Sequence, residues 1–364
     1  MLYGLILAGG MGKRLWPESD DNTPKQFLSR GEKRTLLEET LSRLLPLIPP
    51  DRILISTTSK FTSQTKRLLN DERIAVISEP FSRNTAPAIA LAALNLFQSD
   101  PDAVMAVLPS DHFIDNADAF RLVLKSAADL IDEDPTRLVT VGIVPRSPVT
   151  GYGYIKATNE LLSGKSIRMF AETTPLRVEF FTEKPDRAIA EKFINEGGFY
   201  WNSGIFVWKV SHILNLITRY IPQLEPFVNE TVRHSPTAVE NFLDAFSSLP
   251  SISIDKGVME KARNILLIPA PFGWSDLGTF EILSHVDCST VDVTGNSVLG
   301  ATVISSEASE NIIRVTLPER SDPFTVAIGG VDRLLVVLKG NRLLIVPQGR
   351  DDLVQRLADG YGSR

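Results

Sequence analysis

Leu2-Tyr3-Gly4-Leu5-Ile6-Leu7-Ala8-Gly9-Gly10-Met11-Gly12-Lys13-Arg14-Leu15 is the stretch that decides the fold. Its apolar run, Leu2–Ala8, reads as a buried strand. Three glycines and a Lys-Arg pair follow at once. Glycine has no Cβ, so its backbone N–H can come close to a bound phosphate. Lys13 and Arg14 place positive charge beside that cradle. Two familiar phosphate loops do not match. Arg14 stands where a Walker loop needs Ser or Thr, and Leu15 where a dinucleotide fold has its third glycine. A plain strand-to-helix turn with two exposed basic residues has the same letters, so the reading depends on what surrounds it.

Outward from this turn, apolar runs alternate with helical patterns. Candidate strands are Leu2–Ala8, Arg52–Thr57, Ile74–Ser78, Ala103–Leu108 and Leu138–Val144. Short β-branched runs of this kind suit a buried parallel sheet. Thr35-Leu36-Leu37-Glu38 reads as a capping box ahead of Leu41, Leu44, Leu45 and Ile48. Thr85–Gln98 and Ala117–Ile131 read as two more helices, so the alternation predicts a doubly wound α/β sheet. A strand near Arg177–Lys184, a helix near Arg187–Asn195, a strand at Gly204–Lys209, helices near Ser211–Tyr220, Thr237–Ser248 and Gly257–Ala262, and a strand at Asn264–Ile268 follow. Beyond about Val286 short strands separated by Gly, Asp, Pro and Asn predict a small all-β module, closed by a helix near Asp351–Ala358. The expected division is residues 1–285 and 286–364.

The formal net charge of −6 leaves no basic field to hold nucleic acid, so phosphates must be bound by a few placed cations. A single cysteine, Cys288, excludes an internal disulfide and a cysteine metal cluster. No signal peptide and no membrane-length apolar run is visible, so a cytoplasmic protein is expected.

Four further stretches carry chemistry. In Pro24-Lys25-Gln26-Phe27-Leu28, Lys25 is spaced to fold over the same phosphates; taken alone it is a surface lysine. Leu108-Pro109-Ser110-Asp111-His112 ends a strand, where ligands of open α/β sheets sit. Asp111 there suits Mg²⁺, or caps the next helix. Asp276, in Trp274-Ser275-Asp276-Leu277-Gly278, is a second acidic residue that shares the ion only if the fold brings it to Asp111. Glu79, ahead of Arg83 and Asn84, can accept both N1–H and the 2-amino group of guanine, or pair with Arg83. Glu183 and Lys184, with Asn202, suit the hydroxyls and phosphate of a sugar phosphate, or form a surface ion pair.

The ordered set LILAGGMGKRLWP, PKQFL, EPFSRNTAPAIA, LPSDH, GYGYI, FTEKP, WNSGIF, SIDKGVMEKA and GWSDLG resembles the mannose-1-phosphate guanylyltransferases, or GDP-mannose pyrophosphorylases, of the sugar-nucleotidyltransferase superfamily. The resemblance runs from Leu5 to about Gly278. It implies a Rossmann-like, mostly parallel sheet flanked by helices, of the nucleotide-diphospho-sugar transferase type, with a β-helix-like C-terminal module that forms a homodimer. It implies that Gly9, Gly10, Gly12 and Lys13 meet the nucleotide and that Arg14 and Lys25 are catalytic, holding the triphosphate. Glu79 and Asn84 then fall at the base, Asp111 and Asp276 bind Mg²⁺, and Gly151, Glu183, Lys184 and Asn202 hold the sugar phosphate. Arg146, Val149, Lys256 and Ser110 depart from the family's usual residues. The implied reaction is GMP transfer from GTP to mannose 1-phosphate, by in-line attack on the α-phosphorus. The alternative is a guanylyl- or nucleotidyltransferase for another sugar 1-phosphate, heptose or glucose. The chain ends at Arg364, before the isomerase domain of long bacterial relatives, so one activity is expected.

Overall fold

A computed structural model describes residues 1–10, 12–29, 34–161, 174–233, 242–287, 289–317 and 324–362. Cys288 and the first residues of the helix expected at Thr237–Ser248 lie outside them.

The chain forms two compact units. Met1–Gly9, Thr40–Ser110 and Ile114–Trp274 make the first; Gly10–Glu39, Asp111–Phe113 and Ser275–Arg364 make the second. The expectation of a single cut between residues 285 and 286 is corrected here, because the units are grouped by packing and not by position in the chain.

The chain begins with β1 (Leu2–Leu7), α1 (Leu36–Leu44), β2 (Ile53–Thr58), α2 (Ser59–Leu69), β3 (Ala75–Glu79), α3 (Thr85–Ser99) and β4 (Val104–Pro109). After the short β5 (Phe113–Ile114) come α4 (Ala117–Glu133), β6 (Leu138–Ile143), β7 (Tyr154–Leu161), β8 (Leu176–Thr182), α5 (Arg187–Glu196), β9 (Phe199–Lys209), α6 (Val210–Tyr220), α7 (Glu225–Arg233), α8 (Phe242–Ser247) and β10 (Ile265–Pro269). The sheet order is β3-β2-β1-β4-β9-β6-β10-β8-β7. β1, β2, β3, β4, β6, β7 and β10 share one direction, and β8 and β9 oppose it. The sheet is therefore mixed: the expected parallel half is β3-β2-β1-β4, and antiparallel β9 separates it from β6 and β10.

Local chemistry explains the elements. The capping box forms at α1: the Thr35 N–H donates to Glu38 Oε2 at 2.7 Å, and the Glu38 N–H to Thr35 Oγ1 at 3.3 Å. α3 is buried almost all round because Ala86, Ala90 and Ala93 let it lie close to its neighbours. Asn116 caps α4 through the Ala119 N–H at 3.0 Å, and Asp186 caps α5 through the Ile189 N–H at 2.9 Å. β9 begins at Phe199, earlier than the expected Gly204, so Trp201-Asn202-Ser203-Gly204 lies inside a strand. Gly204, at φ +69°, sits where the β6–β9 register shifts, a bulge glycine that disguises the strand. The core joins Leu5, Leu54, Ile89, Met105, Trp208 and Leu267 across the sheet and its helices.

The chain continues with β11 (Trp274–Ser275) and, in the second unit, α9 (Phe280–Val286), β12 (Thr290–Val291), β13 (Ser297–Leu299), β14 (Thr302–Ser306), β15 (Ile312–Thr316), β16 (Thr325–Gly329), β17 (Leu334–Lys339), β18 (Arg342–Pro347) and α10 (Asp351–Gly362). Between β13 and β14 the chain turns at Gly300, where φ is +75° and a Cβ would stand 2.0 Å from the Val315 oxygen. β13, β15 and β17 pair in parallel, as do β14 and β16, so the chain alternates between two sheets. Buried asparagines hold the turns: Asn311 Nδ2 donates to Asn296 Oδ1 at 2.9 Å, and the Leu334 N–H to Asn311 Oδ1 at 2.8 Å.

Leu15 and Leu36 are buried with Leu277, Phe280, Leu335 and Val337, which is why the glycine loop and the Pro24–Leu28 stretch belong to this unit. Arg314, 2% exposed, pairs with Glu18 at 3.0 Å and with Asp287. Among the described residues no helix is long and apolar enough to cross a membrane.

Candidate active site

In the second unit the glycine loop faces a cleft of about 280 Å³ that also receives Lys25, Asp111 and Asp276. Gly12 holds φ +67°, and a Cβ on it would stand 2.5 Å from the Lys25 Cβ. Only glycine fits the turn. Its carbonyl accepts the Leu15 N–H at 3.0 Å, which starts the short helical turn carrying Lys13 and Arg14. Arg14 lines the cleft, and Lys13 lines it while pairing with Asp359 at 2.6 Å. That carboxylate's hydrogen bond, then its charge, raises the Lys13 ammonium above its ordinary pKa.

Lys25 is 6% exposed, not a surface lysine. Its Nζ lies 2.7 Å from Asp111 Oδ2 and donates to the main-chain oxygen of Asp276. Burial by itself would raise the Asp111 carboxyl, but Lys25 and His112 hold it below the usual carboxylate range. Asp276 sits in a tight turn, its Oδ1 accepting the Gly278 N–H at 3.0 Å. Leu277 takes φ +47° there and is fully buried. The two acidic residues thus line one cleft. Mg²⁺ favours one or two carboxylates completed by substrate phosphates, so this donor set fits it. Among the described residues no group of three or more metal-ligating side chains is assembled.

In the first unit, Glu79 ends β3 and is 4% exposed. Ser56 Oγ donates to its Oε1 at 2.7 Å, and burial raises its pKa against that bond. Arg83 is not its partner; Arg83 donates to the Ser247 oxygen. A Cβ on Gly9 would make only an ordinary contact with Glu79 Oε1, at 3.6 Å. Asn84 is exposed at φ +68° and accepts the Thr85 N–H at 2.8 Å. Gly10, which begins the second unit, has nothing within 4 Å of a Cβ built on it.

A second polar cluster of the first unit gathers Glu183, Lys184 and Asn202. Lys184 takes φ +48° after β8, turning the chain, and its Nζ stands 3.1 Å from Glu183 Oε1. Asn202 is fixed at both ends of its amide: Nδ2 donates to Asp255 Oδ1 at 2.8 Å, and Oδ1 accepts the Gly204 N–H at 3.0 Å. In this cluster the closely approached glycine is Gly153. A Cβ on Gly153 would stand 2.6 Å from Glu183 Oε2 and 3.2 Å from the Asn202 Cβ.

Sequence reasoning did not single out Asp255, Glu260 or Gly153. Asp255 opens a single π-helical turn, Asp255–Met259, where an ordinary helix is expected over Gly257–Ala262. Burial first, then Glu183, pushes its carboxyl up to about 6. Glu260 Oε1 accepts the Glu183 N–H at 3.1 Å. The stretch Ser253–Ala262 held the only sequence signal for this pair of acids, and nothing in its letters tied it to Asn202.

The model of the nucleotidyl transferase family matches residues 3–292. A mannose-1-phosphate guanylyltransferase of Klebsiella pneumoniae is 35% identical over 368 residues, covering 99% of this chain and 74% of that protein. The alginate biosynthesis protein AlgA of Pseudomonas syringae pv. tomato is 33% identical over 358 residues, covering 97% of this chain and 70% of that one. A solved structure from Thermus thermophilus, described as a mannose-1-phosphate geranyltransferase, is 30% identical with a TM-score of 0.84 and covers 99% of each chain.

Proposed function

Because the chain belongs to the nucleotidyl transferase family, we propose that it transfers GMP from GTP to mannose 1-phosphate, giving GDP-mannose and pyrophosphate. The observation that carries this reading is the cleft where Gly12, Arg14, Lys25, Asp111 and Asp276 meet from separate stretches of sequence. The relatives' names supply the base and the sugar. The finer fold assignment, a Rossmann-like nucleotide-diphospho-sugar transferase domain with a β-helix-like C-terminal part, belongs to the same reading.

The attacking sugar-phosphate oxygen is already anionic, so no general base is needed. The difficulty is repulsion between two polyanions. The backbone around Gly9, Gly10 and Gly12 receives the phosphates, with Lys13 and Arg14 beside it. Lys25 holds the two acidic segments and offsets charge at the cleft. Asp111 and Asp276 would hold Mg²⁺, which when bound neutralises charge building on the phosphates. Glu79 and Asn84 are assigned to the base, and Gly151, Glu183, Lys184 and Asn202 to the sugar phosphate. Asp255 orients the Asn202 amide. A homodimer is part of the proposal; Leu343 and Ile345 stand 56% and 55% exposed on the edge strand β18, and such an apolar edge suits a second copy. So is a cytoplasmic location.

The test is pyrophosphate release from GTP and Mg²⁺, with mannose 1-phosphate present and then omitted. Release that needs the sugar phosphate is expected. Glucose and heptose 1-phosphates, and ATP in place of GTP, complete the panel. A higher kcat/KM with any of these would reassign the substrate.

A further inference from the structure

We propose that α10 is a latch on the phosphate loop: Asp359 holds Lys13 until the nucleotide's phosphates take it, so that nucleotide binding and docking of the helix's last turn compete. The proposal rests on the reading that the glycine loop takes a nucleotide.

The geometry is specific. Asp351, Gln355 and Asp359 recur every fourth residue and so share one face of α10. Gln355 lines the same cleft as Arg14, Lys25 and Asp276. Asp359 Oδ1 stands 2.6 Å from Lys13 Nζ. Asp351 lies within electrostatic reach of Arg14 and Asp276; burial first, then Glu281, raises its carboxyl to about 6. One helix face therefore offers acceptors to the cations that the loop holds out for phosphate.

The two ends of α10 are anchored differently. Val354 is 1% exposed in the core with Leu277, Phe280 and Val337, which secures the first turns. The last turn rests on a tilted Trp16–Tyr361 contact at 5.7 Å and on the Arg342 guanidinium 5.6 Å from the Tyr361 ring. A cavity of about 460 Å³ opens beside it, bounded by Lys13, Trp16, Asp20, Arg342, Asp359 and Tyr361. A helix end packed over a void and not into a core opens at low cost. The Lys13 and Asp359 side chains are 52% and 59% exposed, so their pair is weak. A polyphosphate carries several charges against the single one of Asp359 and wins the lysine.

The experiment compares the intact chain with Asp359→Asn, Lys13→Met and the double variant. Binding of GTP with Mg²⁺, and of inorganic tripolyphosphate with Mg²⁺, is measured by calorimetry. Asp359→Asn is expected to bind both about two- to fivefold tighter, the range set by a weak exposed pair. The gain should shrink at high salt and vanish when Lys13 is already Met. Amide exchange in the last turn of α10 should speed up on saturation with GTP. Unchanged or weaker binding by Asp359→Asn, a gain that survives without Lys13, or protection of that turn by GTP overturns the latch. A wild-type chain that binds neither probe removes the nucleotide reading together with the latch; binding without the Asp359 effect removes the latch alone.

Discussion

Lys25 joins the two acidic segments of the cleft: its ammonium lies 2.7 Å from Asp111 Oδ2 and donates to the main-chain oxygen of Asp276. One buried cation thus sets the spacing of both carboxylate-bearing turns, and the second unit alone contains all three residues. Replacing Lys25 with Met is expected to lower kcat ~10²–10³-fold, the usual cost of one lost contact to developing charge. Steady-state assay of the folded variant checks this. Near-normal turnover would reduce Lys25 to a structural strut.

Removal of divalent metal should abolish turnover, and Asp111→Asn or Asp276→Asn should raise the Mg²⁺ concentration needed for half-maximal rate by more than ~10-fold, since each supplies one of few ligands. A Mg²⁺ titration of each variant decides it. An unchanged midpoint in both would place the ion elsewhere.

Glu79 allows a base-analogue test. If it accepts the 2-amino group of guanine, inosine triphosphate should be ~10–100-fold poorer than GTP in kcat/KM, the worth of a hydrogen bond to a charged group. Glu79→Gln should lose most of that difference. Retained discrimination would confine this buried carboxylate to its bond with Ser56.

Asp255 links the site to stability. Its folded-state carboxyl is pushed up to about 6 from an ordinary 3.8. Below the unfolded value both states are protonated and there is no penalty. As pH rises through the folded value, the native state must carry an unfavourable charge and loses stability. Asp255→Asn is therefore expected to stabilise the chain at pH 8 by on the order of 1–2 kcal/mol, discounted for the solvent that reaches this side chain, and not at pH 4. Denaturant melts at the two pH values test the sign. The same variant should raise KM for the sugar phosphate and leave that for GTP unchanged.

Arg314→Met leaves Glu18 and Asp287 buried without their partner. A loss of ~3–5 kcal/mol is expected, as for any buried pair broken from one side. Urea denaturation reads it directly.

Much of this is legible in the letters. The strand before Gly9 pairs on both sides in parallel, Leu5 opposite Leu54 and Val107, as suits a buried apolar run. The capping box at Thr35 and Glu38 forms as read, because both of its partners are local. The start of β9 is not legible, since Asn202 and Gly204 are poor strand residues and only cross-strand pairing overrides them. Nor is the close approach of Gly153 to Glu183 and Asn202, because spacing alone does not say which glycine faces a side chain.

By itself the sequence determined the glycine turn, the alternation of strand and helix, and the types of charge available for phosphate chemistry. Those follow from local sterics, hydrophobic period and side-chain chemistry, which are carried by neighbouring residues. Only the tertiary structure decided that Lys25 is buried between Asp111 and Asp276, that Asp255 holds Asn202, and that α10 reaches Lys13. Each of these joins residues far apart in the chain. Such contacts arise from burial of side chains in a shared core, Leu15, Leu36 and Val354 in the second unit and Ile254 and Val258 in the first, and no local pattern encodes which distant charges that packing brings together.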